Sequence, residues 1–199
     1  YILLRYFSIC LIFKISESNL NMKMIPILVG MSVGISSLAI AAPQVTFMGE
    51  VTAQTCQPQI NGETDSIILL PTVRSSELNA VGSKTGLTPF TINLTNCTAP
   101  TDSDLNIKTV FLGHNVTAKG NLGNIADSNP ATNVELQLLD SEAGTNPIVL
   151  SGPTSVSGLV LKQGQTSADY KFAVQYFSEE GSATAGKVKG IVEYTVSYL

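Results

Sequence analysis

At 199 residues, with 44% hydrophobic and 13% charged side chains, the chain is long enough to bury the core of one domain. Its net charge of −4 argues against nucleic acid as a partner, since phosphate binding needs clustered Lys and Arg. A single histidine, His114, is too few for a multi-imidazole zinc or copper centre.

In chain order, residues 1–21 open with the apolar "YILLRYFSICLIF" and are read as an upstream extension of unclear status, with a second hydrophobic segment as the alternative. From Met22 the chain runs "MKMIPILVGMSVGISSLAIAAPQ": a lysine, an apolar stretch, then the small residues Ala39-Ile40-Ala41. This is the layout of a signal peptide over 22–41, cleaved after Ala41. A membrane anchor is the competing reading, but it needs ~20 apolar residues and Pro26 interrupts the run. Cleavage removes Cys10 and leaves Cys56 and Cys97, and an even pair in an exported chain reads as a disulfide, with two buried thiols as the alternative.

The remainder shows no helical periodicity over three turns. Short alternating or β-branched runs recur at 45–55, 66–70, 90–94, 105–112, 134–139, 148–150, 157–161, 168–177 and 187–198. Gly, Pro, Asn, Asp and Ser separate them, so the fold class is all-β, a single sandwich domain. In "ADYKFAVQYF", Tyr170, Phe172, Val174 and Tyr176 share one face, opposite Lys171 and Gln175. In the last run Val188, Gly190, Val192, Tyr194, Val196 and Tyr198 share a face opposite Lys187, Lys189, Glu193, Thr195 and Ser197. A one-residue slip would reverse either burial pattern.

Candidate chemistry is thin. "GSATAGKV" (181–188) nearly spells a phosphate loop, yet Val188 stands where a magnesium-binding hydroxyl belongs and a strand follows instead of a helix. His114 reads as a solvent-facing residue at a strand end. The acidic pairs Asp102/Asp104, Asp140/Glu142 and Glu179/Glu180 fall in turn-like segments, where carboxylates are ordinarily solvated. The sequons at Asn93, Asn96 and Asn115 are read as chance. No catalytic residue, cofactor or metal is expected.

Four pieces in order carry a resemblance: "FMGEVTAQTC" with Phe47, Gly49 and Val51 alternating before Cys56; "TPFTINLTNC" delivering Cys97; "YKFAVQYFSEEGSATAGKV"; and an ending with Gly186 followed by the penultimate Tyr198. The chain resembles a structural pilin of the chaperone–usher (type 1 fimbrial) family over nearly all of 42–199. The resemblance implies an incomplete immunoglobulin-like sandwich of six own strands, completed by a donor strand from a neighbouring subunit or a chaperone. It assigns 42–53 to an N-terminal donor extension, with Val45, Phe47, Gly49, Val51 and Ala53 facing inward, and 54–199 to the pilin domain. An ordinary first strand is the alternative for the extension. The groove that accepts a donor strand and contacts the chaperone would be built on Gly186, Val188, Gly190, Val192, Tyr194, Val196 and Tyr198. Implied partners are identical or related pilin subunits, a periplasmic chaperone and an outer-membrane usher; the implied destination is a surface fimbria serving adhesion or biofilm formation. A glycan-binding tip adhesin, a minor adaptor and a secreted sandwich enzyme are the competing functions.

Overall fold

The computed structural model describes residues 49, 51–54, 56–64 and 66–198. The expected upstream extension 1–21, the expected signal peptide 22–41 and the expected donor residues Val45 and Phe47 lie outside the described residues. The described strands are β1 (Gln57–Ile60), β2 (Ser83–Thr95), β3 (Leu105–Gly113), β4 (Leu122–Gly123), β5 (Glu135–Leu139), β6 (Thr154–Leu161), β7 (Ala168–Ser178) and β8 (Val192–Ser197). All pair antiparallel, in one sheet ordered β1-β2-β7-β5-β4 and a second ordered β6-β3-β8.

Alternation puts the core between these sheets. Ile92 and Leu94 of β2, Ile107 and Phe111 of β3, Leu159 and Leu161 of β6, and Phe172 of β7 are all buried. Phe172 is the hub: its ring lies 5.8 Å from Phe90, 4.9 Å from Tyr170 and, across the sandwich, 5.2 Å edge-on from Phe111. Each such side chain contributes about 1.5–3 kcal/mol by leaving water, so this seam is where the two sheets are held together.

Several boundaries differ from those read in the sequence, each for a local reason. β2 begins at Ser83 rather than 90, because Gly86 takes φ +69° in a bulge between Thr85 and Thr88 and so extends the pairing with β7. Residues 148–150 form no strand; they run beside β5, with Ile148 N–H donating to the Leu138 carbonyl. The terminal strand starts at Val192, not 187. Two strands were not foreseen: β1, whose Pro58 is compatible only with its edge position, and the two-residue β4 inside an Asn- and Gly-rich stretch.

The far face of β7 also departs from simple alternation, since Gln175 is buried along with Gln137 and Asn121. Gln175 Nε2 donates to Gln137 Oε1 (2.9 Å), Gln137 Nε2 to Asn121 Oδ1 (3.2 Å) and Asn121 Nδ2 to Glu135 Oε2 (2.8 Å). An amide chain of this kind supplies partners to groups that would otherwise be costly to bury.

Cys56 and Cys97 form a disulfide that ties the start of β1 to the end of β2 across a sequence separation of 41. The chain-entropy relation gives about 4 kcal/mol for a loop of that length. Replacing both cysteines with Ala is therefore expected to lower the unfolding free energy obtained from urea denaturation by an amount of that order, without altering the far-UV signature of the folded protein; an unchanged free energy would contradict it.

Candidate assembly groove

β8 stands at the end of the three-stranded sheet, paired with β3 from Lys108↔Ser197 to Gly113↔Val192. Just before it, His114 N–H donates to the Ile191 carbonyl (3.0 Å). Antiparallel ladders alternate, so residues 193, 195 and 197 also direct their backbone groups at β3, while 192, 194 and 196 direct theirs to the opposite edge. The side chains follow the other alternation: Val188, Val192, Tyr194, Val196 and Tyr198 pack against the core but are only half-buried, unlike the enclosed residues of β3 and β7.

Residues 66–73 run extended along the same core. Ile68 and Leu70 pack inward, while Ile67 and Leu69 are 85% and 84% exposed. Among the described residues this segment makes no backbone hydrogen bond. At one end it faces the terminal segment across a cavity of about 580 Å³, bounded by Thr72, Val73, Leu78, Tyr176, Gly186 and Val188. Burial raises the Tyr176 phenol above its ordinary pKa.

The approach to β8 is held from outside the sandwich. Lys187 N–H donates to the Asn129 carbonyl (2.8 Å), Ala131 N–H donates to the Lys187 carbonyl (2.9 Å) and Ile125 N–H donates to the Lys189 carbonyl (2.8 Å). Asn124 clasps the same stretch, its Nδ2 donating to the Lys187 carbonyl and its Oδ1 accepting from Lys189 N–H. Gly186 is required by this docking, because a Cβ there would lie 2.6 Å from the Pro130 carbonyl carbon and 2.7 Å from the Asn129 oxygen. At Gly190 a Cβ would press on Leu136 and Leu122. Both glycines, expected as positions of the groove wall, thus serve close approach to their own chain.

The remaining candidates resolve into surface structure. His114 follows β3 and sits 2.9 Å from Glu193. Asp104 is 2.8 Å from Lys162; that contact and the Gln163 N–H hold its carboxyl below the usual range. Glu142 pairs with Lys171 (2.9 Å), Glu179 with Lys119 (3.7 Å), and Asp140 accepts two hydrogen bonds from Asn146. Among the described residues no group of acidic, His and Cys side chains has metal-binding geometry. The phosphate-loop likeness ends in β8, with Gly181 packed on the backbone of residues 79–81 and Lys187 Nζ donating to the Ser128 hydroxyl. Of the expected donor residues, Gly49, Val51 and Ala53 are described and exposed. The loop 124–131 was not among the expected groove residues, and the run 66–70, expected as a strand, instead belongs to the extended wall 66–73.

The family model described as type-1 fimbrial protein, A, matches residues 70–199. The chain belongs to the type-1 fimbrial protein family. It is 38% identical to the major fimbrial subunit SMF-1 of Stenotrophomonas maltophilia (strain K279a), over 77% of this chain and 90% of that one. It is 33% identical to the F17 fimbrial protein of Escherichia coli, over 89% and 99%. The crystal structure of the P pilus rod subunit PapA superposes with a TM-score of 0.53 at 16% identity, covering 72% of this chain and 99% of that one. A chaperone–usher pilus structure gives 0.52 at 16%, covering 80% and 96%. At such identity these two speak for the fold. As a family member the chain is a structural fimbrial subunit displayed at the cell surface.

Overpacking typically costs about 1–3 kcal/mol. Gly186→Val is accordingly expected to lower stability by that order and to raise hydrogen exchange at the Ala131 and Lys187 amides, which report the docked strip; protection equal to the native chain at both amides would refute the role given to Gly186.

Proposed function

We propose that this subunit polymerises head to tail by donor-strand exchange, and that it has no enzymatic role. The observation that carries the reading is β8 itself. Among the described residues it is the last strand of its sheet, its apolar face is half-buried, and residues 66–73 beyond it make no backbone hydrogen bond. An edge of this kind favours pairing with another strand.

Residues 42–53 of the next chain are the strand that fits. Alternation directs Val45, Phe47, Gly49, Val51 and Ala53 inward, so that Phe47 and Val51 fill pockets against Val188, Val192, Tyr194, Val196 and Tyr198. Support comes from the donor's state in its own chain. Val51 is wholly exposed, and at Gly49 no described atom lies within 4 Å of where a Cβ would stand. A glycine at 49 suits a shallow site on another molecule, where a larger side chain would clash.

Before assembly a periplasmic chaperone occupies the groove, and an outer-membrane usher presents the subunit for exchange. Because groove and donor are different surfaces, the contact is heterologous and generates an open filament rather than a closed ring. The chain organisation that goes with this is an upstream extension 1–21, a signal peptide 22–41, the donor extension 42–53 and the pilin domain 54–199. The filament supports adhesion or biofilm formation.

Deleting residues 42–52 is expected to leave chaperone-bound subunits that are absent from surface filaments by electron microscopy, and filaments of normal length from that variant would end the proposal. Gly49→Leu is expected to slow subunit exchange by at least tenfold, since a side chain there obstructs a groove that a glycine clears; native kinetics would remove Gly49 from the groove.

A further inference from the structure

The donor extension carries one ionisable side chain, Glu50. The alternation that turns Gly49 and Val51 into the groove turns Glu50 outward, level with the groove's rims. The charge on those rims is uneven. At the cavity end stand Lys187 and Lys189, both exposed, with Arg74 between the lining residues Val73 and Ser75. Arg74 has Glu77 beside it, Asp127 is 90% exposed and 3.8 Å from Lys189 Nζ, and Lys187 Nζ has the Ser128 hydroxyl. Further along, Glu193 is already engaged by His114.

Apolar alternation leaves the register of an incoming strand open. A two-residue slip keeps every side chain on its own face, and the groove wall repeats Val192, Tyr194, Val196, Tyr198 with little to tell one step from the next. Charge distinguishes these steps. We propose that Glu50 of the incoming chain is received by Lys187 and Lys189 of the groove chain, and that this contact sets the donor's register. The inference depends on the donor-strand reading above.

The geometry is restrictive. With Glu50 beside Lys189, only an antiparallel donor lets residues 42–49 lie along β8; a parallel one would run off its start. The antiparallel pairing sets Phe47 across from Val192. One two-residue slip moves Glu50 across from Ile191, and a second sets it against Glu193, where like charges repel; a slip the other way keeps a lysine, Lys187, opposite Glu50 but moves Phe47 from Val192 to Gly190.

The test uses filaments assembled from full-length chains. Carbodiimide coupling joins a carboxylate to a touching amine, and peptide mapping is expected to recover Glu50 linked to Lys187 or Lys189 of a different chain. Glu50 linked elsewhere, or left unlinked in intact filaments, overturns the proposal. Glu50→Lys and the pair Lys187→Glu with Lys189→Glu are each expected to speed filament dissociation about two- to fivefold at low salt, the range for exposed pairs. Combining them restores the native rate, and the differences fade at ~0.5 M salt. Should Glu50→Lys prevent assembly, Glu50→Gln supplies the dissociation measurement. Filaments that require residues 42–52 but ignore all these charge changes refute the pairing alone, whereas filaments that form without residues 42–52 refute the donor-strand reading.

Discussion

The ladder between β3 and β8 holds the last strand by one edge, and the alternation of an antiparallel pair then decides where the rest of that strand points. Half of its backbone groups are committed to β3. The others face outward in the plane of the sheet, beside apolar side chains that sit on the core without being enclosed by it. Among the described strands, five form one sheet and three the other, with β8 last in its row, and in the proposed assembly another chain's strand is its complement.

The rest of the molecule makes that edge rigid enough to be a template. Phe172 locks the two sheets through Phe90 and Phe111, the Cys56–Cys97 bridge closes the β1–β2 end, and the amide chain from Gln175 to Glu135 holds β7, β5 and the β4 region together. The strip 186–189 is bound to the loop 124–131 by backbone bonds and by Asn124, so the terminal segment is positioned before β8 begins. In the proposed assembly, a wall held on its outer side keeps its shape while its inner partner is exchanged.

Much of this was legible because strand alternation is local. The faces of β7 and β8 could be read residue by residue, and Cys56 with Cys97 followed from their number and the exported context. The boundaries of β2 were not legible, because they depend on a bulge at Gly86 whose value lies in the Tyr176 ring packed against it. Nor was the burial of Gln175, since an amide on a polar face looks solvated until Gln137 and Asn121 are brought beside it.

The sequence by itself therefore determined the fold class, the inward face of each long strand, and the resemblance that its ends and cysteine frame carry. Only the tertiary structure decided that residues 66–73 would form an extended wall rather than a paired strand, that Gly186 and Gly190 are glycines because neighbouring chain lies against them, and that the stretch carrying Arg74 meets Lys187 and Lys189 at the cavity. The reason is range. Alternation acts between adjacent residues, whereas a wall, a close approach and a cluster of charges are each made by segments some 55 to 115 residues apart, which meet only once the sheets have packed.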